Sequence, residues 1–170
     1  MITCEEIYDL HTTGALESAL CEAYREIPLD SRNSMRKNDT PLHMACAFAD
    51  ENAVRILLER GADVNVRNDD GDTPLCVLAK RKCCGKETTI AGIAGLLVSK
   101  EARVPRSGKN TTALIEAVGN RHFLMADILL MSGCRIDSTN SNGNNVLHVI
   151  CQSAGDIAYD IKRTKERIAD

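Results

Sequence analysis

Thr40-Pro41 recurs as Thr73-Pro74, 33 residues further on. Thr112-Ala113 follows after 39 residues, and Asn145-Val146 after another 33. A chain that repeats itself at this interval is built from supersecondary modules, none of which can bury its apolar face alone. Each module must cover its neighbour. The result is a solenoid, a row of units sharing one continuous core in which each contacts only the next. A chain of 170 residues holds about five such units.

The stretch from Thr40 to Asn65, TPLHMACAFADENAVRILLERGADVN, shows what one unit is. Thr40 is placed to N-cap a first helix, and Pro41 to occupy its first position, where a missing N–H costs little. Leu42, Ala45 and Cys46 face the stack. A second helix runs from about Asn52 to Arg60, with Val54, Leu57 and Leu58 buried at helical spacing. Gly61 follows as the C′ residue, where positive φ is needed. Two residues before each cap stands Asn38, Gly71, Asn110 or Gly143, the residue types that tolerate positive φ in a tight turn.

Thr40-Pro41-Leu42-His43-Met44-Ala45 and Gly61-Ala62-Asp63-Val64-Asn65 resemble an ankyrin repeat. The resemblance extends over nearly the whole chain. It implies an all-α ankyrin-repeat solenoid of stacked helix-turn-helix units with β-hairpin loops.

The period divides the chain, residues 1–170, as a single domain of five units. Residues 1–33 form a divergent N-terminal capping module. Ile7, Leu10 and His11 share a short helix ended by Gly14. Ala15 to Ile27 is a second helix, with Leu16, Ala19, Leu20, Ala23 and Ile27 at helical spacing and Pro28 as its stop. Residues 34–66 are the first full repeat. Residues 67–105 are a repeat with a six-residue insertion. There Cys76 replaces the His, Leu96-Leu97 stands for Leu57-Leu58, and Lys100 takes the place of Gly61. The extra residues are expected between the helices, within Lys82–Thr89, with a distorted hairpin at Val104-Pro105. Residues 106–138 return to register through Thr112, Leu129-Leu130 and Gly133. Residues 139–170 are a C-terminal repeat or cap, in which Ile157, Ile161 and Ile168 give a charged helix one narrow apolar stripe. The same stripe also fits a cut-off point in a longer array.

Composition narrows the function. A net charge of -3 and a pI near 5.8 supply no basic field for nucleic acid. Aromatics at 3%, with no Trp, argue against base-stacking platforms. No run of about 18 apolar residues offers a membrane span. Met1 to Glu6 lacks the basic and apolar regions of a signal peptide. The expected location is therefore intracellular and cytoplasmic, with the eight cysteines reduced. The sequons at Asn38 and Asn110 are then accidental.

Three constellations invite a chemical reading, and each has a plainer account. Gly85-Lys86-Glu87-Thr88 lacks the first Gly, the Ser or Thr, and the preceding strand of a phosphate loop. Cys83-Cys84 with His122 matches no four-ligand metal spacing. Cys46 and Cys151 each stand six residues after a cap, where a small residue lets helices approach, and cysteine packs as a small hydrophobe. Cys83 and Cys84 are the expected exposed, reactive pair. His43 and His148 occupy the matching place in TPLH and NVLH. The resemblance implies a structural role, tying neighbouring repeats by hydrogen bonds to the turn. No Ser, Asp or Glu recurs at an offset that would complete a triad. Neither an enzyme, a metal site nor a cofactor is expected. The resemblance also marks Asn65 as a residue that asparaginyl hydroxylases modify in some ankyrin proteins. The alternative is a hairpin Asn bonded to nearby backbone.

The resemblance implies binding of another protein through hairpin tips and the exposed side of each first helix. Rigid stacked helices present a concave face that loses little entropy on docking. Carried over by position, the tips give Arg36, Lys37, Asp69, Asp70, Asp72, Lys109 and Asn142. The helix positions give Phe48, Lys80, Arg81 and Asn120. Phe48 reads as an exposed aromatic ringed by charge, the composition of a hot spot. It also reads as a ring packed on the first module. The expectation is a monomeric scaffold for a partner protein. Alternatives are a targeting arm, effector or adaptor portion of a larger protein, an inhibitor of a partner enzyme, or a redox-sensing scaffold using Cys83-Cys84.

Overall fold

The computed structural model describes residues 2–82, 85–102, 112–134, 139 and 142–151. Its helices come in consecutive pairs. They are α1 (Cys4–Thr13) and α2 (Glu17–Glu26), α3 (Pro41–Phe48) and α4 (Glu51–Glu59), α5 (Pro74–Ala79) and α6 (Glu87–Ser99), α7 (Thr112–Gly119) and α8 (Phe123–Met131). A 3-10 turn, Ser34–Arg36, precedes α3, and residues 146–151 begin a further helical turn. α1, α3, α5 and α7 stack as one row, and α2, α4, α6 and α8 as the other. One apolar cluster runs between the rows from Cys4 to Val146. This is the all-α solenoid that the period demands. Among the described residues the hairpin loops carry no strand, only an isolated antiparallel bridge between Asn33 and Asp39.

Local chemistry explains where each helix starts and stops. Thr3 and Glu6 cap α1 reciprocally, through the Thr3 N–H on Glu6 Oε2 at 2.8 Å and the Glu6 N–H on Thr3 Oγ1 at 3.3 Å. Gly14 closes that helix at φ +71°. α2 starts later than its apolar spacing predicts. The helix begins at Glu17, so Leu16 is its N-cap and 78% exposed, and Ala19 is exposed too. Leu20, Ala23, Tyr24 and Ile27 make the buried stripe.

The first full repeat follows its sequence reading. Leu42, Ala45, Cys46, Val54, Leu57 and Leu58 are buried, and Gly61 takes φ +86°. Asp50 caps α4 by accepting the Ala53 N–H at 2.9 Å. The turn residues Asn38, Gly71 and Gly143 all have positive φ. The fourth of that set, Asn110, lies outside the described residues, as does the capping side chain of Thr112.

The second full repeat departs from expectation in its register. Ala62 N–H bonds to the Leu57 carbonyl, Ala102 N–H to Leu97, and Cys134 N–H to Leu129, each at 3.0–3.1 Å. These closing bonds match Leu97, not Leu96, to Leu57. They put Glu101, at φ +61°, where the first repeat has Gly61, and Lys100 one step earlier at φ −95°. Thr73 to Leu97 is thus 24 positions against 17 from Thr40 to Leu57, seven extra rather than six. The added length is shared between a longer connection after α5 and a longer α6, which has 13 residues against 9 in α4. Val104-Pro105, Cys83-Cys84 and the helix expected over Asp156–Asp170 lie outside the described residues. Cys151 is exposed, so it does not share the buried packing role of Cys46.

Candidate functional site

His43 organises the seam beneath the candidate surface. Its Nδ1 accepts the Thr40 N–H at 3.2 Å and lies 2.9 Å from Thr40 Oγ1, completing the cap of α3. Its Nε2–H donates to the Asp72 carbonyl of the next hairpin at 3.0 Å. The ring is buried, and desolvation holds its pKa below the ordinary histidine value. This is the structural role expected of it. Among the described residues the His148 ring bonds within its own turn, to Asn145, and it is exposed.

Cys76 cannot repeat that reach. The following unit reaches back instead. Asn120 Nδ2 donates to the Ala79 carbonyl at 3.1 Å, and His122 Nε2–H to the Arg81 carbonyl at 2.7 Å. Asn120, expected to face a partner, therefore spends its amide on the seam. His122 is buried in the same role, and no cluster of metal-ligating side chains exists among the described residues.

Above this seam lies a groove of about 590 Å³. Its walls come from the tips before α3 and α5 and from the exposed ends of those helices. It brings together Arg36, Lys37, Asp70, Asp72, Lys80 and Arg81 from the sequence-predicted set. Its charges are mostly paired. Lys37 Nζ meets Asp70 Oδ2, Lys80 Nζ meets Asp72 Oδ2 at 2.5 Å, and Arg36 Nε lies 3.9 Å from Asp39 Oδ2. Burial alone pulls the Lys80 ammonium down. The Asp72 carboxylate, by hydrogen bond and charge, more than offsets this and leaves it above its ordinary value. Asp72 itself is buried, so it anchors Lys80 and the hairpin rather than standing free at a tip.

Sequence reasoning missed Tyr8 and Met35, which also line the groove. Arg36 lies over the Tyr8 ring, 4.9 Å from its centroid, and Met35 is 84% exposed. The signals were present: an aromatic one helical turn beyond Cys4 in α1, and a methionine in an otherwise polar turn. Phe48, the aromatic singled out, is not in the groove. It is half-buried, stacked on His11 at 4.0 Å and 8°, with Tyr8 at 5.7 Å. The ring packs on the first module, because α1 lies against α3 and supplies both neighbouring rings, His11 stacked and Tyr8 tilted.

The remaining residues scatter. Asp69 accepts from Asn38 Nδ2 at 2.9 Å on the exposed tip. Asn142 is exposed, and Lys109 lies outside the described residues. Asn65 is half-buried, its N–H on Asp63 Oδ1 at 2.8 Å and its Nδ2 on the Glu101 carbonyl at 3.3 Å. It makes the backbone bond that the plainer reading assigned to it. No helix among the described residues is long and apolar enough to cross a membrane.

Comparison with known proteins agrees with this architecture. The family model for the ankyrin repeat matches residues 37–69. An ankyrin repeat-containing protein of Schizosaccharomyces pombe is 34% identical over 68 residues, 36% of this chain and 33% of its own length. The mouse B-cell lymphoma 3 protein homolog is 28% identical over 121 residues, 66% of this chain and 25% of its own. An E3 ubiquitin-protein ligase of Arabidopsis thaliana is 32% identical over 108 residues, 60% of this chain and 6% of its own. The chain thus spans a third or less of each of these relatives. With the recurring Thr-Pro caps, the paired helices in two rows and the His43 seam, the chain is an ankyrin-repeat protein.

Proposed function

We propose that the chain is a protein–protein interaction module that seats a partner protein in the groove between its hairpin tips and inner helices. Ankyrin repeats in general bind other proteins, and the observation that supports this site is the convergence of six sequence-predicted residues there. Stacked helices hold the walls in place before binding, so little conformational entropy is lost on docking. The exposed Met35 and the half-covered Tyr8 supply apolar contact, and the charged pairs supply a polar rim. The module works as a cytoplasmic monomer, without cofactor, catalysis or nucleic acid.

A second reading rests on the relatives. Stretches similar to this chain are a small fraction of a ubiquitin ligase and of a Legionella phosphocholine transferase, 11% of the latter. The module would then act as the recognition arm of a longer protein.

Affinity capture from native lysate tests the groove, with wild type against a Met35→Asp/Arg81→Glu variant shown to melt normally. Loss of a captured protein in the variant supports the site. Equal capture by both moves binding to another face.

A further inference from the structure

The charges in the groove do not balance, and the imbalance points to the chemistry of the partner. Four cations line it, Arg36, Lys37, Lys80 and Arg81, against three carboxylates, Asp39, Asp70 and Asp72. Each carboxylate is within ion-pair distance of one cation. Arg81 is left over. Its guanidinium has no ion pair or hydrogen-bond partner among the described residues, and its Nε is buried without one. A buried donor left unsatisfied is costly, and a guanidinium is built to take a carboxylate in a two-pronged bond. The locally cationic groove is also out of character for a chain of net charge -3.

Resting on the groove as the binding site, we propose that its occupant is an extended segment of a partner protein carrying an Asp or Glu beside an aliphatic side chain. The carboxylate bonds to Arg81. The aliphatic group packs between Met35 and Tyr8. A run of phosphates, as in a nucleic acid, is disfavoured by the three carboxylates along the same walls. A single carboxylate needs only the free cation. The reverse charge pattern in a partner would meet the paired lysines and leave Arg81 uncompensated.

The test is selection of random twelve-residue peptides displayed on phage against the full chain, followed by titration of synthetic binders. Selected peptides should share an acidic residue next to an aliphatic one. Arg81→Gln should weaken them about tenfold or more, the loss of a charge-assisted bond. The Arg81 carbonyl that accepts from His122 is kept in this variant, so the seam survives. Asp70→Asn frees Lys37 and should tighten the same peptides severalfold. Binders without acidic residues, lost on Met35→Asp but indifferent to Arg81→Gln, overturn the carboxylate and keep the groove. Binders indifferent to all three variants overturn the groove itself. Displacement of bound peptide by a single-stranded oligonucleotide at comparable concentration would make phosphate the preferred anion. That too overturns the proposal, as does a selection that yields no binder.

Discussion

The Nε2–H of His43 and the main-chain carbonyl of Asp72 are joined across the first seam between full repeats, 3.0 Å apart and shielded from water. The same ring closes the cap of its own helix through Thr40. One side chain therefore holds a helix start and a neighbour's hairpin at once. His43→Ala should destabilise the fold by about 2–4 kcal/mol, from lost buried bonds and a cavity. The exposed His148→Ala should change stability by less than about 0.5 kcal/mol. Urea unfolding of the two variants makes the comparison.

Acid should act through the same ring. Burial depresses the pKa of His43, and of His11, below the value near 6.5 expected when unfolded. The unfolded chain then binds more protons as pH falls. Stability is fully present above about pH 6.5 and is lost progressively below it, toward the lower folded-state pKa. Unfolding curves from pH 7.5 to 5 should show this slope, and His43→Gln should flatten it.

Phe48→Ala should be a stability variant and not a binding variant. Losing the stack on His11 should cost roughly 2 kcal/mol, since the ring is only half-buried. Peptides that occupy the groove should bind the variant within about twofold of wild type below its melting range, a factor worth roughly 0.4 kcal/mol. A large affinity loss with unchanged melting would reverse the assignment.

Glu101 holds a left-handed conformation that costs a non-glycine residue roughly 1 kcal/mol. Glu101→Gly should therefore stabilise by about that amount, and Gly61→Ala should destabilise similarly. If Lys100→Gly proved the stabilising change instead, the seven-residue register of the second repeat would be wrong.

Thiol labelling should separate the cysteines by depth. Burial raises the Cys46 thiol far above its ordinary range, and Cys76 is equally enclosed. Mass spectrometry after brief alkylation should find Cys151 modified and both of these untouched until unfolding.

The solenoid was legible because its signals are local and repeated. Thr40, Pro41 and Gly61 each state one backbone requirement and Leu57 one buried position, and the repeat states them again. The register of the second repeat was not, because two leucines side by side at 96 and 97 fit either phase. Only the closing bond from Ala102 to Leu97 separates them. Phe48 kept two readings, exposed hot spot or packed ring, for a similar reason. Its position after the cap is the same as that of Arg81, but only the structure shows that α1 supplies an aromatic neighbour there. Tyr8 belongs to a module too divergent for transfer by position, and Met35 stands one residue before the tip positions carried over from the resemblance. Their role depends on which tip lies beside which helix, a relation between residues distant along the chain.

Three of the bonds across the seams between units are asymmetric. Side chains of His43, Asn120 and His122 do the donating, and the atoms that receive them belong to the peptide backbone of Asp72, Ala79 and Arg81. Every amino acid presents that same oxygen. A neighbouring unit can therefore mutate, lengthen or be replaced by a duplicate without withdrawing its half of the joint, provided its turn keeps its shape. Such a joint behaves like a standard fitting. It lets the chain diversify its outward-facing residues and alter its number of units by recombination, while the connection from each link to the next stays the same.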